Sequence, residues 1–254
     1  MLKDFTQEQF DVIIMGGQSN SVGHVGLGNV ENPYEPTGSI WYLDEDFTIF
    51  MAREEGSGNC VHGDLNLVFA REYVNSGRLA DGRKVLVVRA SPGNAENMGG
   101  GFLNKCWGLG DKNYIRLIEL TKTALSLNAG NRIVAFLWQC GETDAMKFSS
   151  YQTYYDNLKT LVDTYRQTFP DQHFHFLAAE MSHNWSDGNE AIARPVEEAA
   201  RDVCRDVGGR FISSVGCTSN REDPESSIDD ALHFSRGGLY ELGMRYFKAY
   251  CELA

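Results

Sequence analysis

No stretch of this chain is apolar for long enough to cross a membrane. The apolar run over residues 12–15 is only four residues long, which suits a buried strand and not the core of a secretion signal. The opening MLKDFTQEQFDVIIM holds nothing longer, so the chain reads as cytoplasmic. No CxxC pair occurs among Cys60, Cys106, Cys140, Cys204, Cys217 and Cys251, and no set of side chains has zinc-ligand spacing. Free thiols are therefore expected, and no metal is implied. Basic residues are in deficit, with 23 Lys and Arg against 35 Asp and Glu and a net charge of −12. Such a surface repels phosphate backbones and anionic lipids, which argues against nucleic acid or a membrane as partner. A small-molecule or oligosaccharide ester remains compatible with it, and the oligomeric state is left open. Linkers, repeats and low-complexity tracts are also missing, so residues 1–254 read as one domain.

What is present is an alternation. Short apolar runs at 11–15, 84–90, 132–138, 173–180 and 210–214 read as strands buried on both faces. Helical patterns lie at 64–76, 113–128, 151–168, 190–207 and 235–253. Gly77, Gly130 and the Gly208-Gly209 pair close three of these helices, and Pro170 closes another. Strand–helix alternation predicts an α/β fold, a three-layer α/β/α sandwich around a flavodoxin-like five-stranded parallel sheet. Long irregular stretches at 22–61, 91–112, 181–189 and 214–232 emerge mainly beyond the strands' carboxyl ends, where ligands sit in such sheets.

Three blocks carry chemistry. Gly16-Gly17-Gln18-Ser19-Asn20-Ser21 follows the first strand, where a sharp turn leads to a helix start whose amides favour developing negative charge. Alternatively Ser19 is a helix cap, or the turn cradles a phosphate. Asp230-Ala231-Leu232-His233 precedes the last helix, and a three-residue spacing across a turn can set the carboxylate against one imidazole nitrogen. A surface ion pair has the same spacing. Trp138-Gln139-Cys140-Gly141-Glu142-Thr143-Asp144 ends the third strand, with its carboxylates and amide serving either acid–base chemistry or helix capping. His173 and His175 alternate along a strand, so one of them is expected in the core. His24, His62 and His183, with Trp41, Tyr42, Trp107 and Trp185, lie in loops where they either touch a substrate or cap the core.

Together the blocks resemble the SGNH/GDSL hydrolase superfamily, and within it the sialate O-acetylesterase-like, carbohydrate esterase family 6 branch. That branch has GQSN after its first strand, W-x-Q-G-E-x-D after its third and D-x-x-H before its last helix, matched here at 17–20, 138–144 and 230–233. Ser91-Pro92-Gly93-Asn94 with Trp107, and His62-Gly63-Asp64 with Phe69-Ala70, are similar to two further blocks. The resemblance implies a cofactor-free serine esterase that removes small acyl groups, acetyl above all, from carbohydrates. It places the nucleophile on Ser19, the base on His233 and the acid on Asp230, with Glu142 as rival or second acid. Gln18, Asn94 and the backbone amides of Ser19 and Gly63 fall in the oxyanion and substrate region. One departure stands out: Cys140 occupies the place of the family glutamine, and Gln139 sits one residue earlier. Either Gln139 swings in, or Asn94 substitutes, or the oxyanion hole is weaker, since a thiol is a poor donor. Cys140 as a nucleophile is a further option. Other readings are a lipid or thioester hydrolase on the same residues, and a glycan-binding module whose catalysis has decayed.

Overall fold

The strand that opens the fold, β1 (Gln9–Gly17), sends Phe10, Val12 and Ile14 into one layer and Ile13 and Met15 into the other. A strand apolar on both sides must be covered on both sides, and helices do so. The structure, a computed structural model, describes residues 4–23, 25–57, 60–91 and 100–254. After β1 come the single turn α1 (Ser19–Val22), β2 (Ile40–Leu43), β3 (Ile49–Met51) and a small hairpin of β4 (Gly56–Ser57) and β5 (Cys60–Val61). The chain continues through α2 (Leu65–Asn75), β6 (Arg83–Arg89), α3 (Lys112–Ser126) and β7 (Arg132–Gln139). Next are α4 (Glu142–Met146), α5 (Tyr151–Thr168), β8 (His175–Ala179) and α6 (His183–Ser186), then a 3-10 turn. The last elements are α7 (Glu190–Asp206), β9 (Arg210–Ile212) and α8 (Arg236–Cys251).

The main sheet has seven strands in the order β3-β2-β6-β1-β7-β8-β9. Its five expected strands keep the flavodoxin-like order, with β1 between β6 and β7, and all run parallel. The strand count of five is corrected to seven. The 22–61 stretch, read as irregular, contributes β2, parallel to β6, and β3, antiparallel at the edge. β2 is only the tetrapeptide Ile-Trp-Tyr-Leu, and its partner Val85–Val88 segment lies over forty residues away, so no local pattern announces it. The five long helices match the expected patterns to within a few residues at each end. Ser and Asp caps define several starts: Asp64 accepts from Asn66 N, Ser150 from Thr153 N and Ser235 from Gly238 N.

Helices α3, α5 and α7 cover one face of the sheet with Leu117, Leu158, Val196 and their neighbours. Helices α2 and α8 cover the other with Val68, Phe69, Leu239, Leu242 and Tyr246. At the strands' amino ends, Asp11 is fully buried and binds Arg83 Nε at 2.7 Å, Arg132 Nε at 2.7 Å and the Tyr73 hydroxyl at 2.7 Å. Burial opposes its charge, but these partners outweigh burial and hold the carboxyl below its ordinary value. Among the described residues no helix is long and apolar enough to cross a membrane.

Candidate active site

The turn after β1 explains why the nucleophile candidate follows two glycines. Gly17 has φ +152°, and a Cβ there would lie 2.1 Å from the Gln139 carbonyl oxygen. Only glycine permits this approach, which brings Gln18 N to within 3.0 Å of the same oxygen. Ser21 Oγ, 2.6 Å from the Gln18 carbonyl and 2.8 Å from Ser91 Oγ, braces the turn from below. Ser19 then opens α1, and its N–H has no partner among the described residues, as expected of a first helical turn.

A second segment meets this turn. Asn220 N donates to the His233 carbonyl and Arg221 N to the Asp230 carbonyl, each at 2.9 Å, folding 219–234 into a tight loop. Asp230 Oδ1 accepts from Leu232 N at 3.0 Å and His233 N at 3.2 Å. Its Oδ2 lies 2.7 Å from His233 Nδ1, and His233 Nε2 lies 2.8 Å from Ser19 Oγ. With Nδ1–H donated to the carboxylate, Nε2 is left as the acceptor for the serine hydroxyl. Partial burial works to raise the Asp230 pKa, but the imidazole and the two amides outweigh it and hold the carboxyl below its ordinary value. An ionised acid, an oriented imidazole and a hydroxyl in this order can generate an alkoxide-like nucleophile.

Glu142 joins the cluster differently from a second acid on the imidazole. It is fully buried, and its Oε1 accepts from Asn20 Nδ2 at 2.7 Å, while Oε2 has no hydrogen-bond partner among the described residues. Burial pushes its carboxyl above the ordinary range. Asn20 in turn donates to the Leu232 carbonyl at 3.2 Å and accepts from Phe234 N at 3.1 Å. Asn20 thus straps the His233 loop to the Ser19 turn, with Glu142 holding the strap. The sequence offered a signal for this role, the Asn of GQSN, but nothing local assigns it a partner two hundred residues away.

The expected oxyanion donors separate on inspection. Gly63 N donates to the Gly26 carbonyl at 2.8 Å, so this amide is engaged and is no open donor. Gln139 is fully buried on the α8 side, its Nε2 donating to the Glu180 carbonyl at 3.1 Å and its Oε1 lying 3.0 Å from the Tyr246 hydroxyl. It does not swing in, because strand alternation turns it away from the side that Trp138 and Cys140 share. Cys140 Sγ donates to Gln18 Oε1 at 3.3 Å and lies 3.5 Å from the Gly100 carbonyl. Its thiol is held well above its ordinary value, first by burial and then by the Asp144 and Glu142 charges, which is the wrong direction for a thiolate nucleophile. Gln18 Nε2 has no partner among the described residues. Asn94 and His24 lie outside the described residues.

The aromatic candidates mostly turn inward. Trp107 is fully buried, donates to the Gly17 carbonyl at 3.0 Å and packs edge-on against Trp138 at 5.0 Å. Tyr42 is buried too, and Trp41 packs on Phe5. Neither His173 nor His175 is a core residue: His173 is exposed ahead of β8, and His175 is half-buried against Tyr250.

Two acids near the site, the buried Asp144 and the half-buried Glu197, carry protons at mildly acidic pH. Burial lifts Asp144, whose oxygens accept from Phe102 N and Leu103 N, to about 6. It lifts Glu197, which accepts from Met181 N, to about 7. Folded values raised above the unfolded ones mean that the folded state binds more protons between roughly pH 4 and 7, so their contribution to stability falls as pH rises through that window. Glu197→Gln keeps the acceptor without the charge. It should raise Tm by a few degrees at pH 8 and by almost nothing near pH 4. Thermal melts at both pH values check this, and equal shifts would refute it.

The geometry has relatives. The sequence profile of a family described as carbohydrate esterase, sialic acid-specific acetylesterase, matches residues 9–252. The solved structure of NanS superposes with a TM-score of 0.75 at 16% identity over 97% of this chain and 98% of that one. An Arabidopsis thaliana protein gives 0.70 at 19% identity, over 96% and 98%. A lipase/acylhydrolase from Enterococcus faecalis gives 0.52 at 12%, again over 96% and 98%. At these identities the superpositions speak to the fold. Comparison with curated protein sequences returned no significant match. The match of the family profile to nearly the whole length settles membership: the chain belongs to the sialic acid-specific acetylesterase family of carbohydrate esterases and is a carboxylic ester hydrolase.

Proposed function

We propose that the chain removes O-acetyl groups from carbohydrates through a Ser19–His233–Asp230 triad. The observation that supports this most directly is the unbroken relay from Asp230 Oδ2 to His233 Nδ1 (2.7 Å) and from His233 Nε2 to Ser19 Oγ (2.8 Å) at the carboxyl edge of the sheet. Ser19 Oγ bonds to the acetyl carbonyl carbon while His233 Nε2 takes the hydroxyl proton. The tetrahedral intermediate collapses, the ester C–O bond breaks, and the sugar oxygen leaves with that proton. Water then adds to the acetyl-serine with His233 as base, releasing acetate and restoring Ser19. Asp230 stays ionised throughout and stabilises the imidazolium. The oxyanion is met by the Ser19 N–H and by Gln18 Nε2, which Cys140 leaves free by donating to the other end of the amide. A donor of this kind is worth roughly a hundredfold or more in rate.

Hydrolysis of p-nitrophenyl acetate against longer acyl chains, followed by acetate release from O-acetylated sialic acid and acetylated xylo-oligosaccharides, tests the reading. Acetate preference with turnover of an acetylated sugar is expected. A preference for long chains would replace it with a lipid acyl hydrolase. Cys140→Ser keeps a donor to Gln18 and should retain most of the activity, whereas Cys140→Ala should lower kcat by up to about tenfold by freeing the amide to rotate. A loss of more than about a thousandfold in Cys140→Ser would return the thiol to the role of nucleophile.

A further inference from the structure

At the strands' amino ends, opposite Ser19, a cavity of about 590 Å³ opens between the starts of β7 and β8 and the ends of α2 and α8. A second one of about 410 Å³ adjoins it and shares Gln172, His173 and His175. In a chain with twelve more acids than bases, this groove is lined by Arg78, Arg132, Arg166, His173 and His175, with Asp171 as the acid on its wall. The Arg78 guanidinium stacks over the Tyr250 ring at 5.8 Å and has no hydrogen-bond or ion-pair partner among the described residues. Tyr250 also carries His175 edge-on at 5.6 Å, so one ring orients two of the cationic or ionisable groups. Arg132 is held by Asp11 beneath the floor, and Arg166 by the Val207 carbonyl at 2.9 Å and the face of Phe174. Asp11 and the Val207 carbonyl hold Arg132 and Arg166 from outside the groove, while Tyr250 and Phe174, which line it, carry Arg78 and Arg166 on their faces.

We propose that this groove binds a small anion bearing a phosphate or carboxylate group, at a site separate from the esterase centre. Arg78, whose guanidinium has no hydrogen-bond partner among the described residues, can meet either anion with the planar, bidentate geometry both accept, and the volume suits a small molecule. β1 has nine residues between its amino end and the Ser19 turn, so the two sites are roughly 25–30 Å apart. Burial, and then the charges of Arg166 and Arg210, hold the His175 imidazole below its ordinary value. A bound anion reverses that bias. With Arg78, Arg132, Arg166 and Arg210 charged throughout and Asp171 ionised, binding of each ionic form of the ligand should tighten as pH falls through the histidine range.

The test is calorimetric titration of the full chain at low ionic strength with inorganic phosphate and, separately, with citrate. Saturable one-to-one binding of either supports the site, and the tighter of the two identifies the anionic group. Arg78→Ala, an exposed side chain whose loss should not disturb folding, is expected to weaken binding at least about tenfold. The His175 imidazole resonance should titrate at higher pH in the presence of ligand, and Ser19→Ala should bind as the wild type does. No saturable binding of either anion up to about 10 mM, or binding that Arg78→Ala leaves unchanged, would overturn the proposal.

Discussion

Ser19→Ala is expected to lower turnover of p-nitrophenyl acetate by about ten-thousandfold or more while leaving Tm within a degree or two of wild type. The hydroxyl lies 2.8 Å from the imidazole Nε2, and in the proposed mechanism its removal deletes the bond-forming atom and not a catalytic increment. Little packing is lost, because one oxygen leaves from a short turn that Gly17 and Ser21 hold in place. What activity remains should come from the oxyanion donors acting on water, so it should no longer show a burst of p-nitrophenol. Retention of more than a few per cent of wild-type turnover would remove Ser19 from the mechanism.

Asp230→Asn and Glu142→Gln form the second test, since the two carboxylates competed for one role. Asp230 holds the Nδ1 proton of His233 at 2.7 Å, and an amide there no longer favours the tautomer whose Nε2 accepts the serine proton. A loss of about ten-thousandfold in kcat is expected, the size seen when a triad acid is converted to its amide. Glu142→Gln keeps an oxygen for Asn20 Nδ2 and replaces a buried carboxyl whose second oxygen lacks a partner among the described residues, so a loss below about tenfold is expected. Glu142→Ala differs again: it strands a buried amide hydrogen and should cost about 1–3 kcal/mol of stability together with a looser His233 loop. Kinetics and melts on the three variants separate the roles. If Glu142→Gln falls as far as Asp230→Asn, the acid has been misassigned.

The contrast between these two acids reflects what short-range pattern can and cannot say. Asp230 and His233 are three residues apart, and a turn of that length brings a carboxylate to an imidazole almost by covalent geometry alone. Glu142 and Asn20 are bonded across 122 positions, and only the packing of α4 against the β1 turn decides that they meet. The same holds for Gly63, whose amide is taken by Gly26 through an isolated bridge that no motif foreshadows.

The linear chain determined the layers, the five central strands, the five long helices and the serine, histidine and aspartate of the relay. Each rests on a local cause: short continuous apolar runs, glycine and proline stops, and three motif blocks whose resemblance to a known family marked the serine, histidine and aspartate. Tertiary structure alone decided that Ile40–Leu43 and Ile49–Met51 extend the sheet, because short strands exist only where a partner edge supplies their hydrogen bonds. It also decided which way ambiguous side chains point. Gln139 faces Tyr246 and not Ser19 because the pleat of β7 reverses at every residue, and Trp107 is drawn into the core because burying its ring beside Trp138 outweighs leaving it in a loop for a ligand.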